Sequence, residues 1–162
     1  MNSQQRTQVL QKVREAIETL DEKFMFVLMD DVSELDAVAM VERHLISPDF
    51  ADSKPGRALA VTEDESISIM INEEDHLRIQ VIKEGASLRE AYALADRIDT
   101  ALDKILHFAF DSKLGYLTQC PTNLGTGMRA SVMMHLCALG ESRTVSRIAA
   151  NLSKLGFVIR GT

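Results

Sequence analysis

Cysteine is scarce in this chain: Cys120 and Cys137 are the two thiols in 162 residues. That is too few for a disulfide framework, and no CxxC spacing offers a metal site. A reducing, cytoplasmic setting is the expected default. No apolar run approaches the ~20 residues that a membrane-spanning helix needs. The amino end, MNSQQRTQVLQKVREAIETL, lacks the apolar core of a signal peptide. Positive charge is also in short supply. With 18 Lys and Arg against 24 Asp and Glu, the net charge is −6. That balance argues against nucleic acid as the main partner but leaves room for a local cluster of arginines. Internal repeats, low-complexity tracts, a Walker-type phosphate loop and the GxGxxG fingerprint are all absent.

The length suits one domain with a full core, and apolar content of 46% with charged content of 26% is ordinary for a globular chain. Val9, Leu10, Val13, Ile17 and Leu20 recur at helical spacing, which predicts an amphipathic amino-terminal helix. FMFVLM (24–29) reads as a buried strand. Ser33 is placed to cap a second helix, with Leu35, Val38, Ala39 and Leu45 on its inner face. SPDFADSKPGR (47–57) holds two of the three prolines and reads as an exposed loop. ALAVT and ISIMI read as a hairpin closed by the acidic turn EDES, and HLRIQVI as the next strand. Ser87 and Glu90 have capping-box spacing before a long helix striped with Leu88, Ala91, Leu94, Ala95, Ile98, Leu102, Ile105 and Ala109. An apolar helix is expected from about Arg129 to Leu139. A last helix over 143–155 should end at a left-handed Gly156, before a closing strand FVIR. The expected class is α+β: a mainly antiparallel sheet flanked by helices.

Two stretches carry chemistry. In INEEDHLRIQ (71–80), an extended backbone puts Glu74, His76, Arg78 and Gln80 on one face and Leu77, Ile79 and Val81 on the other. This is either a solvated strand face or a carboxylate–arginine array able to grip a substrate of mixed charge. His76 reads as structural. In GYLTQCPTNLGTGMRASVMMHL (115–136), Gly125 and Gly127 precede a predicted helix at Arg129 and could offer backbone N–H groups to an anion. Cys120 is either a small buried hydrophobe or a thiolate supported by an arginine and a hydroxyl such as Thr122. Cys137, Met133 and Met134 read as packing residues, with Met133 one turn from Arg129.

Taken together and in this order, NEEDHLRIQ and GYLTQCPTNLGTGMRASVMMHL resemble the ATP:guanidino phosphotransferases, the phosphagen kinase family. Its members carry NEEDHLR followed by CPSNLGT or CPTNLGT and an arginine–alanine pair. The longer context, EDESISIMINEEDHLRIQ and AFDSKLGYLTQCPTN, is most similar to the bacterial protein arginine kinase branch, and the similarity covers about residues 24–162. The resemblance implies that Glu74 holds and orients the substrate guanidinium and can take its proton, with Glu73 beside it in a less defined role. It implies that Cys120 lies against the guanidinium as a thiolate. Arg78, Arg129 and Arg160 match the arginines that hold nucleotide phosphates, and Ala130, Ser131, Val132 and Met133 continue the nucleotide-binding run. ATP and ADP, magnesium carried by the nucleotide, and arginine residues of protein substrates are the implied ligands, with no nucleic acid and no membrane. No metal is expected on protein ligands.

The resemblance also sets an expectation about extent. The family pattern has an upstream arginine-rich segment and a continuation past Arg160-Gly161, and this sequence shows neither. The chain therefore reads as a single partial catalytic domain over 1–162. Each phosphate clamp of this kind is worth about 10²–10⁵ in rate, so a weak or inactive kinase is expected. Open sheet edges invite self-association or a partner chain. The alternatives are a non-catalytic remnant that binds nucleotide or protein, and a small-molecule arginine kinase-like enzyme.

Overall fold

A computed structural model describes all residues except 53–54, 143 and 160–162. The chain divides into two compact units, Met1–Ala130 and Ser131–Thr162. The first is built on helix α1 (Ser3–Ile17), strand β1 (Phe24–Leu28), helices α2 (Glu34–Glu42) and α3 (Pro48–Asp52), strands β2 (Ala58–Thr62), β3 (Ile67–Ile71) and β4 (Leu77–Val81), and helix α4 (Leu88–Leu106). A small hairpin, β5 (Phe110–Asp111) and β6 (Gly115–Tyr116), follows. The four longer strands form one antiparallel sheet in the order β1-β2-β3-β4, so the expected α+β class holds.

Every residue of β2 and β3 is buried, because helices cover both sheet faces. Alternation along the strands sorts the side chains. Ala58, Ala60, Ile67, Ile69 and Ile71 meet Val13, Ala16 and Ile17 of α1 and Ile98 and Leu102 of α4. Leu59, Val61 and Met70 meet Met29, Leu45, Ile46 and Phe50, with Met40 and Val41 of α2 alongside. Leu77, Ile79 and Val81 pack toward α1 and α4, which puts Arg78 on the face that carries α2 and α3. The β2–β3 turn is made by side chains: Asp64 Oδ1 accepts from Thr62 Oγ (2.7 Å) and from the Ser66 N–H (3.2 Å). The hydrogen bonds from Thr62 and Ser66 pull the Asp64 carboxyl down to about 2.

Several expectations are corrected. The 47–57 segment is not a plain exposed loop: it contains α3, and Phe50 is fully buried as a core anchor. On α2, Leu35 and Val38 point to solvent (78% and 55% exposed), while Ala37 is buried. Ser87 sits at ψ 35° with its hydroxyl donating back to the Glu84 carbonyl, so the expected capping box on α4 is not made. A reciprocal box instead closes α1, between Asn2 and Gln5.

The second unit departs further. Residues 129–136 are not helical, and helix α5 covers only Cys137–Glu141. Helix α6 (Val145–Ser153) forms, and Gly156 takes the expected left-handed φ of 87°. Residues 157–159 form no strand. The physical reason is shared. Among the described residues after Ala130 no hydrophobic side chain is buried, and Met133, Met134 and Val158 are 67%, 64% and 78% exposed. A short helix or lone strand has little stability without a surface to bury its apolar face. No helix among the described residues is long and apolar enough to cross a membrane.

The α4 stripe yields a direct test. Leu102 is fully buried whereas Ile105 is 47% exposed. Leu102→Ala should cost about 2–5 kcal/mol in urea unfolding, and Ile105→Ala less than about 1 kcal/mol. Equal losses would contradict the packing.

Candidate active site

The motif NEEDH is a turn, not part of a strand. β3 ends at Ile71, and the chain bends through residues 72–76 before β4 starts at Leu77. Asn72 makes the bend possible. It adopts φ +63°, a left-handed conformation that asparagine tolerates better than most residues. Its N–H donates to the His76 carbonyl (3.0 Å), closing the turn. Its buried side-chain amide donates to the Arg6 carbonyl (3.1 Å) and the Gly56 carbonyl (2.8 Å). Glu74 and His76 therefore do not share a strand face with Arg78 and Gln80, as the sequence pattern predicts.

The two adjacent glutamates have opposite environments. The Glu73 side chain is only 9% exposed, and its Oε1 accepts from Ser47 Oγ (2.6 Å) and from Arg78 Nη1 (3.2 Å). Its Oε2 accepts from the Glu74 N–H (3.1 Å). Burial pushes this carboxyl up, but Ser47, the Glu74 N–H and the charges of Arg78 and Arg57 outweigh it, leaving Glu73 below the usual glutamate range. Glu74 is exposed, and its carboxylate meets no hydrogen-bonding or ionic partner among the described residues. Arg57 sits beside this turn. Its Nε donates to the Asn72 carbonyl (3.1 Å), Nη1 donates to the carbonyls of Asp49 (2.6 Å) and Phe50 (3.2 Å), and its Cζ lies 5.3 Å from the Phe50 ring centre.

The thiol loop is joined to this turn. Asp75 Oδ1 accepts from the Gln119 N–H at 2.7 Å, across 44 residues of sequence. The immediate neighbour of Glu74 is thereby bonded to the immediate neighbour of Cys120. Cys120 is a partly exposed free thiol, and its Sγ lies 2.9 Å from Thr122 Oγ. The loop is pinned by Thr118 Oγ and the Asn123 N–H, which both donate to the Cys120 carbonyl (2.8 and 3.0 Å). The expected anion cradle at the glycines is not formed. The Gly125 N–H donates to the Tyr116 carbonyl (3.3 Å) and the Gly127 N–H to the Asn123 carbonyl (3.1 Å), and no helix starts at Arg129.

The structure thus brings Glu73, Glu74, Arg78 and Cys120 into one connected region. Arg129 and Ala130 are exposed at the end of the first unit, and the Arg129 guanidinium has no partner among the described residues. Ser131, Val132 and Met133 are exposed residues of the second unit, and Arg160 lies outside the described residues. Sequence reasoning missed Ser47, Arg57, Asn72 and Asp75. The signal for Ser47 was present: serine before proline, with the proline as first helical residue, is a helix start. Asn72 and Asp75 lay inside the quoted motif but were read as strand. Among the described residues no three His, Cys, Asp or Glu side chains converge as metal ligands.

Glu73→Gln should lower stability at pH 7 by about 1–3 kcal/mol, because it weakens a buried charged acceptor of three hydrogen bonds. Glu73 is shifted downward on folding, so its contribution is complete above the unfolded carboxyl range and is lost as pH falls through the folded value. The gap between wild type and Glu73→Gln in urea unfolding should therefore narrow as pH falls from the ordinary glutamate range through the lower folded value. Parallel pH profiles would show that Glu73 contributes no such charge.

Comparison with known proteins identifies the family. The family model described as ATP:guanido phosphotransferase, C-terminal catalytic domain, matches residues 8–162. A protein-arginine kinase of Symbiobacterium thermophilum is 56% identical over 131 residues, 81% of this chain and 37% of the relative. One from Caldanaerobacter subterraneus is 45% identical over 166 aligned positions, 99% of this chain and 49% of the relative. The chain thus spans less than half the length of these relatives. Among solved structures, the substrate-free duplicated taurocyamine kinase of Schistosoma mansoni matches with a TM-score of 0.71 and 27% identity, over 78% of this chain and 20% of that one. Lombricine kinase matches with a TM-score of 0.69 over 78% of this chain and 40% of that one; at 21% identity it shows the fold alone. The chain belongs to the ATP:guanido phosphotransferase family, within the C-terminal catalytic domain.

Proposed function

We propose that this chain takes part in ATP-dependent phosphoryl transfer to the guanidinium of protein arginine. The observation that carries the reading is the Asp75–Gln119 hydrogen bond, which ties the turn bearing Glu74 to the loop bearing Cys120. A free, exposed carboxylate and a thiol on one tethered frame suit a planar cation that must be held still. The protein-arginine kinase names of the relatives support arginine in proteins over a small guanidine.

In this reading the Glu74 carboxylate accepts N–H groups of the substrate guanidinium and takes one proton. The freed nitrogen attacks the γ-phosphorus, an N–P bond forms, and the P–O bond to ADP breaks. Cys120, with its Sγ beside the Thr122 hydroxyl, is assigned to the guanidinium side of the site on sequence resemblance. The transferring phosphoryl group carries spread negative charge, so the protein contributes mainly alignment and opposite charge. Arg78, on the rigid edge strand β4, is assigned to the phosphates, where a planar fork suits oxygen pairs. Arg129, Ala130, Ser131, Val132, Met133 and Arg160 are assigned to the nucleotide on sequence resemblance alone. Magnesium is assigned to ATP, which carries it into the site in the family that the sequence resembles. The free thiols suit a cytoplasmic location.

The test is incubation of the chain with Mg²⁺ and γ-labelled ATP, with an arginine-rich protein and free arginine in parallel. Weak acid-labile label on the protein is expected, and Glu74→Ala should abolish it. Label on free arginine alone would reassign the substrate to small guanidines. A folded chain that binds ATP but transfers nothing would be a nucleotide-binding module.

A further inference from the structure

Ser47 lies outside both motifs, yet it touches the least exposed charge of the candidate site. Its hydroxyl donates to Glu73 Oε1 at 2.6 Å and accepts the Phe50 N–H at 3.1 Å. The Ser47 carbonyl accepts from Phe50 and Ala51, both at 3.1 Å, so the residue is fixed from two sides as the start of α3. Helix α3 is itself anchored, because Phe50 is fully buried in the core. The hydroxyl is thus a rigid donor, held by the core and aimed at the carboxylate oxygen that also receives Arg78 Nη1 at 3.2 Å.

We infer that Ser47 is a positioning residue for the phosphotransfer site: its hydroxyl fixes the Glu73 carboxylate, which in turn fixes the Arg78 guanidinium and the Glu74 backbone. This deepens the reading given above and rests on it for its functional consequence. The physical argument is one of shared acceptors. Glu73 Oε1 serves both Ser47 and Arg78, so losing the hydroxyl leaves that oxygen to Arg78 alone, with the Glu74 N–H holding only Oε2. The carboxylate is then less restrained at Oε1, and Arg78 with it. An arginine that binds phosphate from a fixed rotamer loses little freedom on binding, whereas a released one must be ordered each time. The charges facing Glu73 come from two elements, Arg78 on β4 and Arg57 before β2, with the Glu74 backbone N–H beside them, while Asp49 of α3 and Arg6 of α1 act on Arg57.

A cap-only serine and a positioning serine respond differently to substitution. Glycine is nearly as good as serine at a helix start but has no hydroxyl, whereas threonine keeps the hydroxyl. Isotope-labelled full chain would be followed by NMR as wild type, Ser47→Ala, Ser47→Gly and Ser47→Thr. The Glu73 carboxyl ¹³C is read against pH, and the Arg78 Nε–H signal at neutral pH. The Glu73 midpoint should rise by about 0.5–1 pH unit in both Ser47→Ala and Ser47→Gly, with the Arg78 signal broadened. Ser47→Thr should restore both. Affinity for Mg·ATP should fall about 3- to 10-fold in the first two variants, the worth of one modest hydrogen bond, and recover in Ser47→Thr. A Glu73 midpoint and Arg78 signal unchanged in a folded Ser47→Gly would overturn the proposal, whatever the melting temperature does. If the wild type binds no nucleotide, the phosphotransfer reading fails. The midpoint and the Arg78 signal still decide the role of Ser47.

Discussion

The site depends on how the chain leaves the most buried strand. β3 has no exposed residue, so at Ile71 the backbone must reverse with its polar groups still paired. Asn72 meets that demand at one position. Its main chain closes the turn on His76 and receives Arg57, while its side-chain amide reaches carbonyls of α1 and of the segment before β2. One oxygen, Asn72 Oδ1, is left buried and unpaired among the described residues. A buried unpaired carbonyl costs about 1–3 kcal/mol, and the fold tolerates it where three segments must meet. The acidic side chains of the turn all hang from that junction.

From the junction outward, geometry divides labour between neighbours. Consecutive residues in a tight turn point in different directions, so Glu73 is directed into the protein and Glu74 out of it. The inward carboxylate is neutralised by Ser47, Arg78 and its neighbour's N–H and becomes part of the scaffold. The outward one keeps its charge available. Two identical side chains acquire two roles from environment alone, the pattern by which paired carboxylates commonly differ. Asp75, third in the row, bridges to the thiol loop. The acidic run is thus one scaffold group, one free group and one tether.

Long elements with strong periodicity were readable from the sequence because burial dictates them. The stripe of Val13 and Ile17 on α1, and the paired apolar runs of β2 and β3, follow from covering a sheet on both faces. The acidic EDES turn was readable too, since short polar residues between apolar runs make turns. The residues of the candidate site were named from the sequence, but their geometry was not legible there. Alternation in NEEDHLRIQ holds only from Leu77 onward, and nothing in a period-two pattern reports that Asn72 enters left-handed space. The 129–139 helix failed for the opposite reason. Its apolar periodicity is real, but periodicity yields a helix only where another surface accepts the face. Ser47 was hidden because a proline-rich stretch suggests a loop until Phe50 is seen in the core.

The small hairpin before the thiol loop has a consequence for how such a protein can change over time. Gly115 takes φ +80°, and a Cβ built there would stand 2.7 Å from the Gly125 Cα and carbonyl carbon. Gly125, bonded in both directions to Tyr116, is the backbone that crowds it. No single replacement at 115 can be absorbed, because the obstacle is main chain and cannot rotate aside. The loop carrying Cys120 is therefore closed to gradual drift at its base. Variation in this region can lengthen the tip or alter the polar residues around the thiol, but the crossing of two glycine backbones beneath it is inherited whole or lost.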